Sequence, residues 1–376
     1  MRLAQFRLTR FQFARDRVIG DSQVRADDVN CAALELVDAA GCVGLGFVQT
    51  LFTPLPDQSE ITRIFAAELW PGLEGQPPLG LIHRVARPRG GNQRATSLPF
   101  NEALQVALWD LAAKQAGLPL HILLGSRRDK VPAYASGLDF HLSDDAFQAL
   151  FAHAASAGYR AFKIKVGHPD LDRDLHRLDL LTKVIPANSK VMIDANEAWS
   201  PKEAALKLSA LARIHPIFWA EDPILRHDFE GLRLLRGIAG TQINSGEYLD
   251  LQGKRLLLQA GGADLLNVHG QVTEVMRIGW LAADMGVPVT MGNTFLEVGV
   301  HMAAALPEVE WLEYSFQNFD HLVDEPMLIK DGFAYAPNRP GHGLDLSDTA
   351  RRDWARPTLL QREALGPAPA NPRLPL

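Results

Sequence analysis

The chain has 376 residues, of which 47% are hydrophobic and 22% are charged, and its 38 Lys and Arg against 44 Asp and Glu give a formal charge of −6. This composition is typical of a folded globular protein and excludes a disordered or fibrous chain. Because the balance is mildly acidic and the basic residues are scattered, we predict no binding to nucleic acid or to an anionic membrane surface.

The chain carries no clear signal for a membrane or for an oxidising compartment. It has no run of about 18 consecutive apolar residues, so a transmembrane helix is not expected. Met1–Arg17 alternates apolar and basic residues and lacks the continuous apolar stretch of a secretory signal. The two cysteines, Cys31 and Cys42, cannot form a disulfide framework or a closed zinc site. We therefore expect a reduced, cytoplasmic setting.

The first third of the chain predicts a mixture of strands and helices. Met1–Phe13 alternates as a strand does, and Cys31–Thr50 predicts two further strands around a turn at Ala39–Gly41. Leu98–Gly117 has the apolar spacing of a helix and ends at a glycine. This part of the chain is therefore predicted to be α+β.

From Lys130 onward, short strand-like runs alternate with helical stretches at intervals of roughly 20–30 residues, the pattern of βα units. Eight such units favour a closed (β/α)₈ barrel. An open doubly wound sheet is the alternative, but no predicted strand is followed by its usual G-x-G-x-x-G turn. The predicted strands are Val131–Gly137, Ala161–Gly167, Lys190–Asn196, Ile217–Pro223, Gln242–Glu247, Asp264–His269, Val287–Asn293 and Trp311–Tyr314.

The alternation ends after Tyr314. Met327–Ala336 predicts a hairpin that turns at Lys330-Asp331-Gly332, and Pro340–Leu344 predicts a turn that leads into a last strand. The terminal stretch, Leu365–Leu376, is rich in proline and is predicted to be irregular.

Three carboxylates follow successive predicted strands, at the end of a barrel where active sites lie. Asp194, Glu221 and Glu247 are 27 and 26 residues apart, one βα unit each, so neighbouring strands should hold them side by side. Without a cation they would repel one another. Ligands that are all oxygen favour a hard ion, Mg²⁺ first and Mn²⁺ second. The alternative, three separate salt bridges or helix caps, is less favoured because the three residues occur in register.

Lys163 and Lys165 alternate along the second predicted barrel strand and should face the same side. A cation and a second lysine nearby should lower the pKa of a buried lysine, as a general base near neutral pH requires. The alternative role is structural, with both lysines anchoring the carboxylates.

Two further titratable residues end predicted strands. His269 ends the sixth strand, opposite Lys165 across a barrel, where it could act as a second acid or base or could simply be a packing histidine. Glu313 lies near the end of the eighth strand. When protonated it could donate a hydrogen bond to a substrate carboxylate, or it could instead hold Lys165 in place. Polar residues that could bind substrate hydroxyls also lie near strand ends: Asn196, Asn267, Asn293 and Thr294.

Together these motifs resemble the enolase superfamily, in its mandelate racemase/muconate lactonizing enzyme subgroup. The resemblance rests on Lys163-x-Lys165, Asp194-x-Asn196, Glu221-x-Pro223 and Glu247, and it extends to nearly the whole chain. Ala107–Leu111, with Leu118–Leu120 and Leu123–Gly125, is similar to the helix that closes the N-terminal capping domain of the family. Pro340-Gly341-x-Gly343 is similar to its final strap.

The resemblance implies a modified (β/α)₈ barrel with an α+β cap, divided into residues 1–125 (cap), 126–320 (barrel) and 321–376 (a C-terminal segment that completes the cap). It implies that the enzyme abstracts the α-proton of a small carboxylate substrate to give an enediolate stabilised by Mg²⁺. Asp194, Glu221 and Glu247 would bind the metal, Lys165 would be the base, and Lys163 would lower its pKa and contact the substrate carboxylate. Glu313 would donate a hydrogen bond to that carboxylate. A homo-oligomer is also expected.

The specific reaction is left open by two departures from the subgroup. The seventh strand ends Thr290-Met291-Gly292-Asn293 without a histidine, and the sixth ends in His269 without a lysine. One firm base, Lys165, suits elimination, so we favour a sugar-acid dehydratase in which His269 protonates the leaving hydroxyl. The alternatives are a racemase or epimerase and, more remotely, a metal-binding scaffold without catalysis. Specificity should come from cap loops near Val18–Gln23 and Leu51–Pro56.

Overall fold

The architecture comes from a computed structural model, which describes residues 1–50, 54–86, 100–126 and 128–353. Within these residues no helix is both long enough and apolar enough to cross a membrane. The predicted irregular tail, Leu365–Leu376, lies outside the described residues, as do residues 51–53 of the predicted cap loop and residues 98–99 of the predicted helix.

The N-terminal part of the chain forms an antiparallel three-stranded sheet covered by helices. The strands are β1 (Leu3–Gly20), β2 (Arg25–Asp38) and β3 (Val43–Thr50), paired in that order. The turn between β2 and β3 holds Gly41 at φ 85°, and the Asp38 side chain accepts hydrogen bonds from the backbone N–H groups of Ala40 and Cys42. The predicted strands are confirmed, although β1 and β2 are both longer than expected.

Four helices accompany this sheet: α1 (Gln58–Glu68), α2 (Pro78–Ala86), α3 (Phe100–Ala116) and α4 (Leu120–Leu123). Helix α3 packs closely on β3 because Gly44 and Gly46 have no side chain. A Cβ atom on Gly46 would lie 2.1 Å from the Ala103 carbonyl oxygen. The sequence analysis assigned no element to α1 or α2, although Asp57 accepts a hydrogen bond from the Glu60 N–H and caps α1 in the usual way.

Eight parallel strands form a closed barrel. Each strand pairs with the next along the chain, and the last pairs with the first through Leu312–Tyr314 and Ala133–Ala135, which excludes the open sheet. The interior of the barrel is packed with side chains, among them those of Tyr134, Met192, Trp219 and Leu265. The strands are β4 (Lys130–Ser136), β5 (Ala161–Lys165), β6 (Lys190–Asp194), β7 (Ile217–Glu221), β8 (Gln242–Ser245), β9 (Leu265–Val268), β10 (Val289–Met291) and β11 (Val309–Tyr314).

Helices follow the first seven barrel strands and pack on the outside of the barrel. Most begin at a residue whose side chain caps the first turn, as Ser200 does in a capping box with Glu203. Each cap sets the residue at which the loop between a strand and its helix ends. The caps therefore help to define the length of the loops at the carboxyl ends of the strands. These helices are α5 (Asp144–Ser156), α6 (Leu171–Thr182), α7 (Pro201–Ile214), α8 (Phe229–Ile238), α9 (Leu251–Ala260), α10 (Val272–Asp284) and α11 (Gly299–Ala305).

The C-terminal segment contains the predicted hairpin, β12 (Leu328–Lys330) and β13 (Phe333–Tyr335), with Asp331 and Gly332 at positive φ in its turn. Strand β13 pairs antiparallel with β4. The prediction of a last strand is wrong. After Gly343 the chain makes only an isolated bridge between Leu346 and Val323 before helix α12 (Asp348–Asp353). The predicted division into residues 1–125, 126–320 and 321–376 stays a prediction.

Candidate active site

The two lysines of β5 are buried among carboxylates. Lys163 Nζ lies 2.6 Å from Glu221 Oε1, 3.1 Å from Glu313 Oε1 and 3.4 Å from Asp194 Oδ2. Lys165 Nζ donates to Asp194 Oδ2 at 2.6 Å and to Asn196 Oδ1 at 2.9 Å. The strand therefore presents both ammonium groups to the same cluster of acids, as their alternation predicted.

The expectation of a lowered lysine pKa is wrong for this arrangement of side chains. Burial is the largest influence and lowers the pKa of Lys165, but the carboxylates of Asp194, Glu247 and Glu313 together outweigh it and hold that pKa above its ordinary value. The sequence analysis assumed a cation beside the lysine. Here the ammonium group itself neutralises Asp194, so its charged form is favoured.

Asp194 and Glu221 are register partners at the ends of β6 and β7, and both are fully buried. Glu221 Oε1 accepts from Asn267 Nδ2 at 3.0 Å as well as from Lys163. Asn267, which was one of the candidates for binding substrate hydroxyls, therefore holds a predicted metal ligand. The pairing brings two of the three predicted ligands to one place.

Glu247, the third predicted ligand, follows β8 and lines the cavity above the barrel. Burial and the nearby Glu313 carboxylate raise the pKa of Glu247 to about 7. The cluster therefore holds more negative charge than the two lysines compensate, which is the environment that a bound cation would stabilise.

Glu313 contacts Lys163, whereas the sequence analysis allowed for a contact with Lys165. Its Oε2 accepts from the backbone N–H of Asn293 at 3.0 Å. Burial alone would raise the pKa of Glu313, but Lys163 and Lys165 hold it below its ordinary value. Glu313 is therefore ionised here, so it does not donate to a carboxylate in this arrangement.

His269 directly follows β9, the sixth barrel strand, and lines the same cavity as Lys165 from the opposite side of the barrel. Its Nε2 atom is buried and has no hydrogen-bond partner among the described residues. Burial lowers the pKa of His269, and the Glu102 carboxylate on α3 opposes this effect. The residue is placed so that a substrate could lie between it and Lys165.

The two residues predicted to bind substrate differ in their surroundings. Asn196 is buried, and its side-chain oxygen already accepts from Lys165. Asn293 lines the cavity, and its buried Oδ1 has no hydrogen-bond partner in the described part of the chain. Asn293 is thus free to bind a hydroxyl, whereas Asn196 orients the lysine. Both assignments to substrate stay predictions.

The cavity has a volume of about 820 Å³ and lies between the barrel and the N-terminal sheet. From the cap it is lined by Gly20 to Val24, which belong to a predicted specificity loop, and by Phe47 and Glu102. This volume accommodates a small-molecule substrate. The cap therefore covers the strand ends and encloses the lysines.

The sequence analysis missed several residues of the cavity wall. Arg226 forms a two-point ion pair with Glu197, and Lys254 donates to the backbone carbonyls of Gly246, Glu247 and Leu249 at 2.5 to 3.2 Å. Glu102 reaches the cavity from α3. The sequence analysis had no motif that marks these residues, and the partner of Arg226 lies in a different loop.

In the described residues, no three His, Cys, Asp or Glu side chains stand arranged to hold a metal ion as they are. Asp194 and Glu221 instead contact the lysine ammonium groups. The donor set still fits Mg²⁺, because three carboxylates end adjacent strands and their charge exceeds that of the lysines. Asp194, Glu221 and Glu247 are the residues that would hold the ion.

Comparison with known proteins identifies the family. The sequence profile of the family described as enolase C-terminal domain-like matches residues 146–350. This match covers more than half of the chain. The chain belongs to the enolase superfamily. Its barrel and its separate antiparallel sheet are therefore those of a superfamily member, as the resemblance implied.

Solved structures place this enolase superfamily member in the mandelate racemase/muconate lactonizing enzyme subgroup. A candidate mandelate racemase from Mesorhizobium loti is 70% identical over 100% of both chains, with a TM-score of 0.92. An L-talarate dehydratase from Polaromonas sp. JS666, solved with Mg and L-glucarate, is 28% identical over 94% of this chain and 97% of that chain, with a TM-score of 0.79. Mg²⁺, the predicted cofactor, is thus bound in the structure of a relative.

Characterised relatives catalyse several reactions. A 3,6-anhydro-α-L-galactonate cycloisomerase from Streptomyces coelicolor is 32% identical over 85% of this chain and 90% of its own length. Other relatives include sugar-acid dehydratases and dipeptide epimerases. This superfamily member is accordingly an enzyme, a lyase or an isomerase.

Proposed function

We propose that the enzyme dehydrates a sugar acid, removing the α-proton of the carboxylate with Lys165 and expelling a β-hydroxyl. The observation that carries the proposal is that Lys165 and His269 lie on opposite sides of one cavity. Asn293, in the loop after β10, and Glu313, on β11, line the same cavity. Bound Mg²⁺ would supply positive charge that stabilises the negative charge developing on the carboxylate of the substrate.

Lys165 is the proton acceptor in this proposal, in its neutral form. A cation held by Asp194 would favour that form, because it would replace the ammonium group as the partner of this carboxylate. Its Nζ is held by Asp194 and Asn196, two residues of the neighbouring strand and its loop, so the amine has a defined position in the cavity. Lys163 cannot easily share this task, because three carboxylates surround its ammonium group. Lys163 would instead attract the carboxylate of the substrate.

His269 is the proton donor to the leaving hydroxyl. Its unpartnered Nε2 can bind a substrate oxygen, and the Glu102 carboxylate favours the protonated ring against the effect of burial. The polar atoms of Asn293 and the loop Gly20–Val24 lie near enough to the cavity to bind further hydroxyls. These groups suit a polyhydroxylated acid better than an apolar one.

Epimerisation is the second candidate, because a histidine opposite the lysine could return a proton to the other face of the α-carbon. Dehydration ranks first because one well-placed base, Lys165, suits elimination, and because no second histidine follows β10 at Met291–Asn293. Dipeptide epimerases and sugar-acid dehydratases among the relatives are compatible with either reaction.

A substrate screen separates the two reactions. The enzyme with Mg²⁺ is incubated in D₂O with mono- and diacid sugars, and 2-keto acid is followed as its semicarbazone while NMR follows α-deuterium. Formation of keto acid supports the dehydratase. Deuterium incorporation with inversion and no keto acid from any substrate would refute it and favour the epimerase.

A further inference from the structure

Arg226 joins two side chains from different loops. Its Nε and Nη2 donate to the two carboxylate oxygens of Glu197 at 2.6 and 2.5 Å, and its backbone N–H donates to the same carboxylate at 2.7 Å. The centre of its guanidinium group lies 4.8 Å from the centroid of the Tyr248 ring. The guanidinium group thus makes two charge-assisted hydrogen bonds to Glu197 and a cation–π contact with the ring of Tyr248.

These three residues lie in the three loops that follow the metal-ligand strands. Glu197 comes three residues after Asp194, in the loop after β6. Arg226 comes five residues after Glu221, and Tyr248 directly follows Glu247. Arg226 therefore connects the loops beyond β6, β7 and β8, each of which closely follows one of the carboxylates that would bind the ion.

The loop that Arg226 holds has an unusual backbone. Asn196 and Glu197 have φ of 46° and 65°, in the left-handed region that residues other than glycine adopt at a cost. The backbone N–H of Asn196 donates to Asp194 Oδ1 at 2.9 Å. The conformation of this loop therefore also sets the orientation of the Asp194 carboxylate, and the contacts of Glu197 with Arg226 help to maintain it.

We propose that Arg226 is a positioning residue for the Mg²⁺ site, fixing the spacing of the loops that present Asp194, Glu221 and Glu247. The planar guanidinium can bind both oxygens of Glu197 while its face lies near Tyr248. An ammonium group on a flexible stem cannot make both contacts in this way. The inference concerns metal binding and does not depend on whether the reaction is dehydration or epimerisation.

Electrostatics alone predicts the opposite effect from positioning. Arg226 is a positive charge near a cation site, and its removal leaves Glu197 negative and unpaired, so a purely electrostatic role predicts tighter Mg²⁺ binding in a neutral variant. A role in positioning predicts weaker binding. An ordinary surface ion pair predicts almost no change.

The test compares Mg²⁺ affinity, by calorimetry on the full chain without substrate, in wild type, Arg226→Met and Arg226→Lys. Arg233→Met is the matched control, because Arg233 makes the same fork with Glu230 on the exposed face of α8. We expect Arg226→Met to raise the Kd for Mg²⁺ by about 10-fold to 100-fold, the usual cost of losing a residue that orients a metal ligand. Arg226→Lys should recover only part of this loss, and Arg233→Met should stay within about twofold of wild type.

Two further measurements separate positioning from a general loss of stability. Raising Mg²⁺ to saturation should restore most of kcat in Arg226→Met, because the reacting groups remain in place. If that variant does not fold, Glu197→Gln, which keeps the shape and weakens the fork, should still raise the Kd several-fold. A Kd for Mg²⁺ that is unchanged or lower in the folded Arg226 and Glu197 variants would overturn the proposal, even if their melting temperatures fall.

Discussion

Lys165 Nζ lies 2.6 Å from Asp194 Oδ2, and the two residues are register partners on the adjacent strands β5 and β6. The proposed proton acceptor and a predicted metal-ligand carboxylate are thus fixed side by side by the pairing of two strands. The hydrogen bond to Asn196 holds the amine from a second direction. The pKa of Lys165 therefore depends on which positive charges lie beside the Asp194 carboxylate.

Glu221→Gln should weaken Mg²⁺ binding by at least about 100-fold. Loss of a residue that only orients a metal ligand costs about 10-fold to 100-fold in affinity, and loss of a ligand itself should cost no less. The side chain is fully buried, and an amide of the same shape can still accept from Lys163 and Asn267. The fold should therefore persist while activity is lost. Calorimetry measures the affinity, and circular dichroism checks the fold.

Glu230→Gln on α8 is the matched control for this change, because its carboxylate pairs with Arg233 on the surface. It should bind Mg²⁺ as wild type does. An unchanged affinity in Glu221→Gln would remove that residue from the metal site.

His269→Asn should reduce turnover of a substrate that is dehydrated by about 10²-fold to 10⁴-fold, the usual contribution of a general acid. Lys165 and the carboxylates are untouched, so exchange of the α-proton should persist in this variant. His176→Asn, on the exposed surface of α6, provides the control. If keto-acid formation falls by less than tenfold, His269 is a packing residue and the leaving hydroxyl takes its proton from elsewhere.

Three buried histidines link the cap to the barrel and should make the enzyme sensitive to acid. His301 Nδ1 accepts from the backbone N–H of His121, and its ring also contacts the carbonyl of His342, which lies between Gly341 and Gly343. Burial, together with the neighbouring His342, lowers the pKa of His301 to about 3. The unfolded chain binds a proton near pH 6.5, whereas the folded chain does not.

The stability supplied by neutral His301 is therefore present above about pH 6.5 and is lost as the pH falls from 6.5 towards 3, at about 1.4 kcal/mol per pH unit. Denaturant unfolding between pH 7 and pH 4.5 measures this loss. His301→Gln should be less stable at pH 7 and should show a shallower decline with acid. An equally steep decline in both proteins would show that other groups cause the acid sensitivity.

The barrel and the strand-end residues could be predicted from the sequence because the βα alternation is itself periodic. Each βα unit places the residues at the carboxyl end of its strand at the same end of the barrel. Asp194, Glu221 and Glu247 could therefore be assigned to one candidate site from the sequence alone. The alternation of Lys163 and Lys165 along β5 likewise fixed their shared direction. These features depend on local pattern and topology alone.

The failures occur where side chains from distant loops decide the outcome. Arg226 interacts with residues of two other loops, and nothing in its own segment marks it. The charge state of Glu313 follows from Lys163, which lies 150 positions earlier in the chain. The strand predicted after Gly343 was wrong because buried Leu344 and Leu346 flank exposed Asp345, as in a strand, although only one bridge forms.

The most direct test of the central claim is exchange of the substrate α-proton with solvent deuterium in Lys165→Met. Wild type and Lys183→Met, a variant of an exposed lysine on the surface next to α6, should both exchange the proton when Mg²⁺ is present. We expect Lys165→Met to show no exchange on any substrate that wild type processes, while its affinity for Mg²⁺ stays within a few-fold of wild type. Exchange at the wild-type rate in Lys165→Met would contradict the account, because the proton would then be removed by another group.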